Sequence, residues 1–176
     1  MRIIGGEKRG HKLLGPPDVD IKKLKPMPDM AREAIFNILG SWVSGKKVLD
    51  LYAGTGAVGL EALSRGAVKV DFVELSGKTV EVIEKNRDKL GFEAQIFQLD
   101  AKRFIKDVNK KYDLIFITPP HQEIDFKVVK DAGKKLNKSG VIILESDRRE
   151  DVPKIPGLKK FDHRVYGKLK LTFFED

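Results

Sequence analysis

The sequence predicts one α/β domain wound around a mostly parallel sheet, and three features of its 176 residues predict it. Strand-length apolar runs alternate with helical patterns from Lys47 to Leu144, which places crossover helices between parallel strands. One such run, Val48-Leu49-Asp50-Leu51-Tyr52, breaks into Ala53-Gly54-Thr55-Gly56 just before a helical stretch, the pattern of a buried strand feeding a tight turn. The last two runs, 161–166 and 168–174, are parted by Gly167 and read as an antiparallel hairpin finishing the sheet. A chain of this length suits a single domain burying roughly 70% of its unfolded surface, with no room for a second, substrate-binding domain.

Taken in order, residues 2–14 hold two short apolar runs around Gly5-Gly6 and Gly10, the pattern of a hairpin with a basic tip, followed by the connector Gly15-Pro16-Pro17. Residues 1–25 carry seven Lys or Arg against three acids, half of the chain's formal net charge of +8, and are read as an arm ahead of a domain spanning 26–176. Either this arm contacts the phosphates of a nucleic acid or it is an ordinary solvated hairpin; a small basic arm beside a cofactor domain favours the first. Residues 29–42 form a helix with Asp29 as N-cap, an apolar stripe including Ile35 and Trp42, and a stop at Ser44-Gly45. Arg32 and Glu33 lie off that stripe, toward cleft or solvent. Strands follow at 48–52, 68–73, 94–99, 112–117 and 141–144, with helices ending at 65 and spanning 77–90, 102–108 and 126–136.

Composition narrows the chemistry. There is no cysteine, so disulfides, thiolate metal sites and a cysteine nucleophile are excluded. His11, His121 and His163 show no metal-ligand spacing, so no metal is expected. No apolar run approaches the roughly 18 residues of a membrane span and no signal-peptide pattern opens the chain, so a cytoplasmic protein is expected.

The glycine turn admits two ligands. Gly54, Gly56 and Gly59, with Glu74 about 20 residues on, satisfy the dinucleotide fingerprint. Asp50, however, sits inside the strand end, where it would repel a pyrophosphate and attract a cationic amino-acid group. The other strand ends supply Glu74, Asp100, Thr118-Pro119-Pro120-His121 and Glu145 along the edge where doubly wound sheets bind ligands. Glu74 is placed to accept from ribose hydroxyls, Asp100 with Ala101 to meet an adenine amino group, and Leu75 or Phe104 to cover its ring; Asp100 could equally cap the helix after it.

With these residues in hand, Asp50-x-x-x-Gly54-x-Gly56 resembles the cofactor motif of S-adenosylmethionine-dependent methyltransferases. The opening Arg2-Ile3-Ile4-Gly5-Gly6 with Arg9-Gly10, then Lys25-Pro26-x-x-Asp29-x-x-Arg32-Glu33 and Phe36-Asn37, is similar to the 16S ribosomal RNA guanine-N2 methyltransferases, and the likeness runs from end to end. That resemblance implies a Rossmann-like class I methyltransferase fold with a seven-stranded sheet, S-adenosylmethionine held by Asp50, Tyr52, Gly54, Thr55, Gly56, Glu74, Leu75, Asp100 and Ala101, and a monomer acting on ribosomal RNA or an assembling subunit. Arg2, Lys8, Arg9, Lys12, Lys25 and Arg32 are the expected RNA contacts.

The family's catalytic D-P-P-F/Y is Thr118-Pro119-Pro120-His121 here. In the family the Asp oxygen and a backbone carbonyl accept from the target amine, and the fourth residue stacks on the flipped base. Thr118 keeps an acceptor oxygen without the charge, the Pro119 carbonyl persists, and His121 can stack. The expected activity is methylation of a guanine amino group; a noncatalytic cofactor- and RNA-binding relative and an adenine-N6 methyltransferase are the alternatives.

Overall fold

In the computed structural model, which describes residues 1–16, 26–120, 124–152 and 154–176, seven strands form one sheet in the order β3-β2-β1-β4-β5-β7-β6. The elements run α1 (Asp29–Leu39), β1 (Lys47–Leu51), α2 (Ala57–Ser64), β2 (Lys69–Glu74), α3 (Gly77–Leu90), β3 (Gln95–Gln98), α4 (Ala101–Asp107), β4 (Tyr112–Ile117), α5 (Phe126–Lys134), β5 (Leu136–Asp147), β6 (Lys159–Tyr166) and β7 (Leu169–Glu175). The first five strands are parallel and β7 pairs antiparallel with both β5 and β6, as the sequence pattern requires. Among the described residues no helix is long and apolar enough to cross a membrane.

Strand alternation divides the core. Leu114 and Phe116 of β4 point to one face, where α1, α2, α3 and the amino-terminal hairpin pack; Ile115 and Ile117 point to the other, under α4 and α5. The strands are therefore apolar on both faces, and the carboxyl ends of β1, β2 and β4 share one edge of the sheet.

Three expectations about local structure are corrected. Asp29 is the first helical residue and Pro28 occupies the cap position without a side-chain bond, because the Asp29 carboxylate turns to Arg32 at 2.9 Å. The α-helix stops at Leu39 and its last turn tightens to 3₁₀ geometry over Gly40–Val43 before Ser44-Gly45. β5 is much longer than 141–144, since pairing with β7 carries it to Asp147 and pairing with Tyr112 begins it at Leu136.

Arg32 is the larger correction. Placed by sequence at the cleft or on RNA, it is fully buried and serves as an internal tie. Its Nη2 donates to the Arg2 carbonyl, and its Nε lies 3.8 Å from the buried Glu61. Glu61 in turn accepts from the amides of Ile4 and Gly5, each at 2.8 Å, and from Arg65 Nε at 2.8 Å. Segment 2–13, paired to itself through Arg2 and Lys12, is thereby fastened to α1 and α2, with Ile3 and Leu13 in the core. Gly6 is required for the approach: at φ +77° a Cβ there would sit 1.8 Å from the Ser64 carbonyl, whereas one on Gly5 would meet only the Arg65 guanidinium, at 2.3 Å.

Truncating Glu61 strands a buried guanidinium and two amides, so Glu61→Ala is expected to cost about 3–5 kcal/mol. Asp29→Ala, removing a half-exposed partner, should cost about 1 kcal/mol or less. Urea denaturation midpoints check this; equal losses would refute the central place given to Glu61.

Candidate active site

Beyond Leu51 the backbone enters left-handed conformations at Tyr52 (φ 62°), Gly54 (56°) and Gly56 (78°). For Tyr52 that costs on the order of 1–3 kcal/mol and is held by its surroundings. The Ala53 amide donates to the Val73 carbonyl at 3.0 Å, Gly54 to Glu74 Oε2 at 2.9 Å and Gly56 to the Ala53 carbonyl at 2.8 Å. Glu74 Oε1 accepts from the Ser76 amide at 2.9 Å, so one carboxylate joins the β1 turn to the start of α3. α2 then leaves the turn pressed against the sheet: a Cβ on Gly59 would meet the Phe72 ring at 2.3 Å.

Asp50, near the end of β1, is buried beneath this turn. Its Oδ2 accepts from the Gly59 amide at 2.9 Å, capping α2 from across the turn, while Oδ1 has no hydrogen-bond partner among the described residues. Burial, opposed by the Gly59 bond and reinforced by nearby Glu74, pushes its carboxyl up to about 8. A carboxylate with one buried, unpartnered oxygen fits a cationic ligand group, which would restore its charge, and does not fit a pyrophosphate.

The other sequence-selected residues are disposed as follows. Thr55 is buried, its hydroxyl 3.6 Å from Met1 Sδ and its carbonyl accepting from Asn86 Nδ2 at 3.1 Å. Leu75 is exposed and Ala101 buried. Asp100 caps α4, accepting from the Arg103 amide at 3.0 Å, which is the plain alternative the sequence left open. Phe104 does not lie open to a ring ligand, because it is buried against Phe97 with centroids 4.9 Å apart. The Tyr52 phenol is pushed up to about 12, by burial first and then by Asp125 and Asp100.

Pairing of Leu51 with Ile117 sets Thr118 beside Tyr52. The half-buried Thr118 hydroxyl lies 3.3 Å from both the Leu51 and Tyr52 carbonyls. Pro119 is buried and Pro120 exposed; His121 lies outside the described residues. Past this loop Asp125 caps α5 and pairs with Lys102 of α4 at 3.0 Å, and that lysine holds its carboxyl below the usual carboxylate range. Sequence reasoning missed the Lys102–Asp125 pair, which joins the Asp100 and Thr118 loops, as it missed Glu61, whose signal was an acid in an otherwise apolar helix.

Arg2, Arg9 and Lys12 are exposed and Lys8 is half-buried, 5.7 Å from the Phe92 ring centroid; Lys25 lies outside the described residues and Arg32 is excluded by burial. The hairpin lies along α2. Its open end is at Thr55 and Asn86, where the Leu14 amide donates to Asn86 Oδ1 at 2.7 Å. Its tip is at Ser64, where the Lys8 amide donates to Oγ at 3.0 Å. Ser64 is the last residue of α2 and lies on the order of 10 Å along the helix axis from the glycine turn.

Known proteins share this sequence pattern and fold. The family model described as Conserved hypothetical protein 95 matches residues 1–175. The YlbH protein of Bacillus subtilis is 33% identical over 89% of this chain and 88% of its own. Ribosomal RNA small subunit methyltransferase D of Escherichia coli is 32% identical over 89% of this chain and 79% of its own. The solved yhhF protein of Escherichia coli superposes with a TM-score of 0.88 at 28% identity, covering 99% of this chain and 97% of that one.

Because the folded state holds a proton on Asp50 that the unfolded chain releases near 3.8, this group's stabilising contribution is complete below 3.8 and is lost as pH rises toward about 8. Asp50→Asn lacks that dependence. Without cofactor, the variant's stability relative to wild type should climb with pH between 5 and 8, on the order of 1 kcal/mol per unit. Parallel denaturation midpoints across that range would contradict it.

Proposed function

The chain belongs to the conserved hypothetical protein 95 family, the 16S ribosomal RNA guanine-N2 methyltransferases its motifs resemble, and on that premise we propose that it methylates the exocyclic amine of a guanine in small-subunit ribosomal RNA. S-adenosylmethionine, when bound, supplies an electrophilic methyl group on a sulfonium. Asp50 would hold the cationic amino-acid end, and Gly54, Thr55 and Gly56 would let the ligand lie against the backbone. The remaining lone pairs of Glu74 would accept from the ribose; Leu75, Asp100 and Ala101 would border the adenine. Naked RNA or an assembling subunit in the cytoplasm, met by a single copy of the chain, is the proposed setting.

The observation that carries the reading is the Thr118 hydroxyl. Its one proton is directed at the Leu51 and Tyr52 carbonyls, so its lone pairs remain as acceptors at the tip of β4. Thr118 Oγ1 and the Pro119 carbonyl can then each accept one N–H of a guanine amine, turning the nitrogen lone pair toward the transferable methyl. Positioning supplies most of the rate, since two acceptors convert an encounter into an oriented approach. The methylated amine is more acidic than before and releases its proton to water, so no dedicated base is required. His121 would stack on the extruded base.

Methyl transfer from labelled S-adenosylmethionine to unmodified small ribosomal subunits and to the naked RNA, followed by nucleoside chromatography, should place label in N2-methylguanosine. Thr118→Val should lower the rate about tenfold while cofactor binding persists, as for the loss of one neutral hydrogen bond. Thr118→Asp should raise it. RNA and cofactor binding without label, unrelieved by Thr118→Asp, would make the chain a binding module instead.

A further inference from the structure

At the same edge of the sheet as Thr118, but on the far side of β4 from the cofactor turn, the β5 end and the β6–β7 turn form a basic corner. Arg148, Arg149 and Lys168 are exposed there and line a cavity of about 300 Å³ together with Asp147 and Gly167. None of the three has a salt-bridge partner among the described residues. The single carboxylate in the lining is engaged in its own turn, Asp147 Oδ1 accepting from the Arg149 amide at 2.9 Å. Two separate backbone segments present the charges, and they are fixed to each other: the Arg148 amide donates to the Lys168 carbonyl at 2.7 Å, and Lys170 Nζ donates to the Glu150 carbonyl.

Register gives the distance to the acceptor position. Ile117 lies opposite Leu144, so Thr118 is one residue past that pair and Arg148 is four. The offset of three residues is about 10 Å along the strands, with one inter-strand spacing of about 5 Å across. Strand order puts the cofactor half, β1 to β3, on one side of β4 and this corner on the other. The hairpin tip, by contrast, lies at the opposite end of α2 from the glycine turn. The flanking backbone of an RNA presenting a base at Thr118 is within reach of the corner, whereas Lys8 and Arg9 lie nearer a more distant part.

We propose that Arg148, Arg149 and Lys168 form a phosphate-binding site that holds the RNA backbone next to the target nucleotide, a proposal that rests on the RNA-methylation reading. Two guanidinium forks and an ammonium around one cavity suit a phosphodiester, whose oxygens accept bidentate bonds. The corner positions the substrate and takes no part in the transfer itself.

The test measures binding of unmodified small-subunit RNA by the full chain from 50 to 200 mM salt. Wild type is compared with Arg148→Gln/Arg149→Gln/Lys168→Gln and with a charge-matched control, Lys111→Gln/Lys130→Gln/Lys138→Gln, all checked for unchanged thermal unfolding. Each lost phosphate contact should reduce the slope of log K against log salt by about 0.7–0.9, so the corner variant, losing the one phosphodiester its cavity holds, should lose about 1 and the control much less. In methyl transfer, KM should rise tenfold or more while kcat holds. Equal slopes in wild type and corner variant, or equal losses in variant and control, would overturn the proposal. Loss of poly-glutamate binding with an unchanged RNA slope would overturn it in favour of an acidic protein partner. If wild type shows no salt-dependent binding either to this RNA or to unmodified small ribosomal subunits, the methylation reading fails and takes this proposal with it.

Discussion

The bond from the Gly54 amide to the Glu74 carboxylate fixes the relation between the tips of β1 and β2, and the geometry of the whole carboxyl edge follows from it. It holds a turn in which three of five residues are left-handed, one of them a tyrosine. That turn sets the direction of the Leu51 and Tyr52 carbonyls, which in turn receive the Thr118 hydroxyl. Cofactor side and acceptor side are thus joined through the backbone of one turn, held by the Glu74 carboxylate on one side and meeting the Thr118 hydroxyl on the other. Asp50 beneath the turn is the complementary element. It leaves one oxygen without a hydrogen-bond partner, a cost that a cationic ligand group would offset.

Much of this was legible because periodicity and chemistry agreed. β4 and α3 run over the residues their patterns marked, and Asp50, Glu74 and Thr118 stand at strand ends because each acid or hydroxyl interrupts an apolar run at the carboxyl edge. β5 was not legible at its ends. Asn137-Lys138-Ser139-Gly140 looks like a turn, yet it is a bulge within the strand: pairing with β4 passes from Leu136 opposite Tyr112 to Val141 opposite Leu114, with Ser139 left-handed between them. Arg32 was misread for a different reason: amphipathic patterning assigns a charged residue off the apolar stripe to solvent, and only the pairing with Glu61, distant in sequence, permits the burial. Position alone likewise could not distinguish the capping role of Asp100 from a ligand contact.

The two basic regions differ in how their charge is mounted. On the hairpin, the backbone is clamped and the side chains project from a surface built around α2. At the β5 corner, the charges come from an edge of the sheet itself, where the last residues of β5 and the first of β7 are locked by antiparallel pairing from Asp147 to Leu169. A long, folded polyanion meets both only by crossing the strand ends, and the sheet twist spaces the two supports along its path. Recognition of extended shape then becomes a property of the scaffold as much as of individual lysines and arginines.

The tie between segment 2–13 and α2 has a consequence for how the chain comes into being. The amides of Ile4 and Gly5 find their acceptor 57 and 56 residues downstream. Synthesis proceeds at about 5–20 residues per second, so this glycine-rich, basic segment exists for seconds before its anchor is made. It can join no native core until α2 has formed, and docking it closes one of the longest loops in the amino-terminal half of the fold. Segment 2–13 is therefore among the later parts of the molecule to reach its place, fitted onto a sheet already under construction.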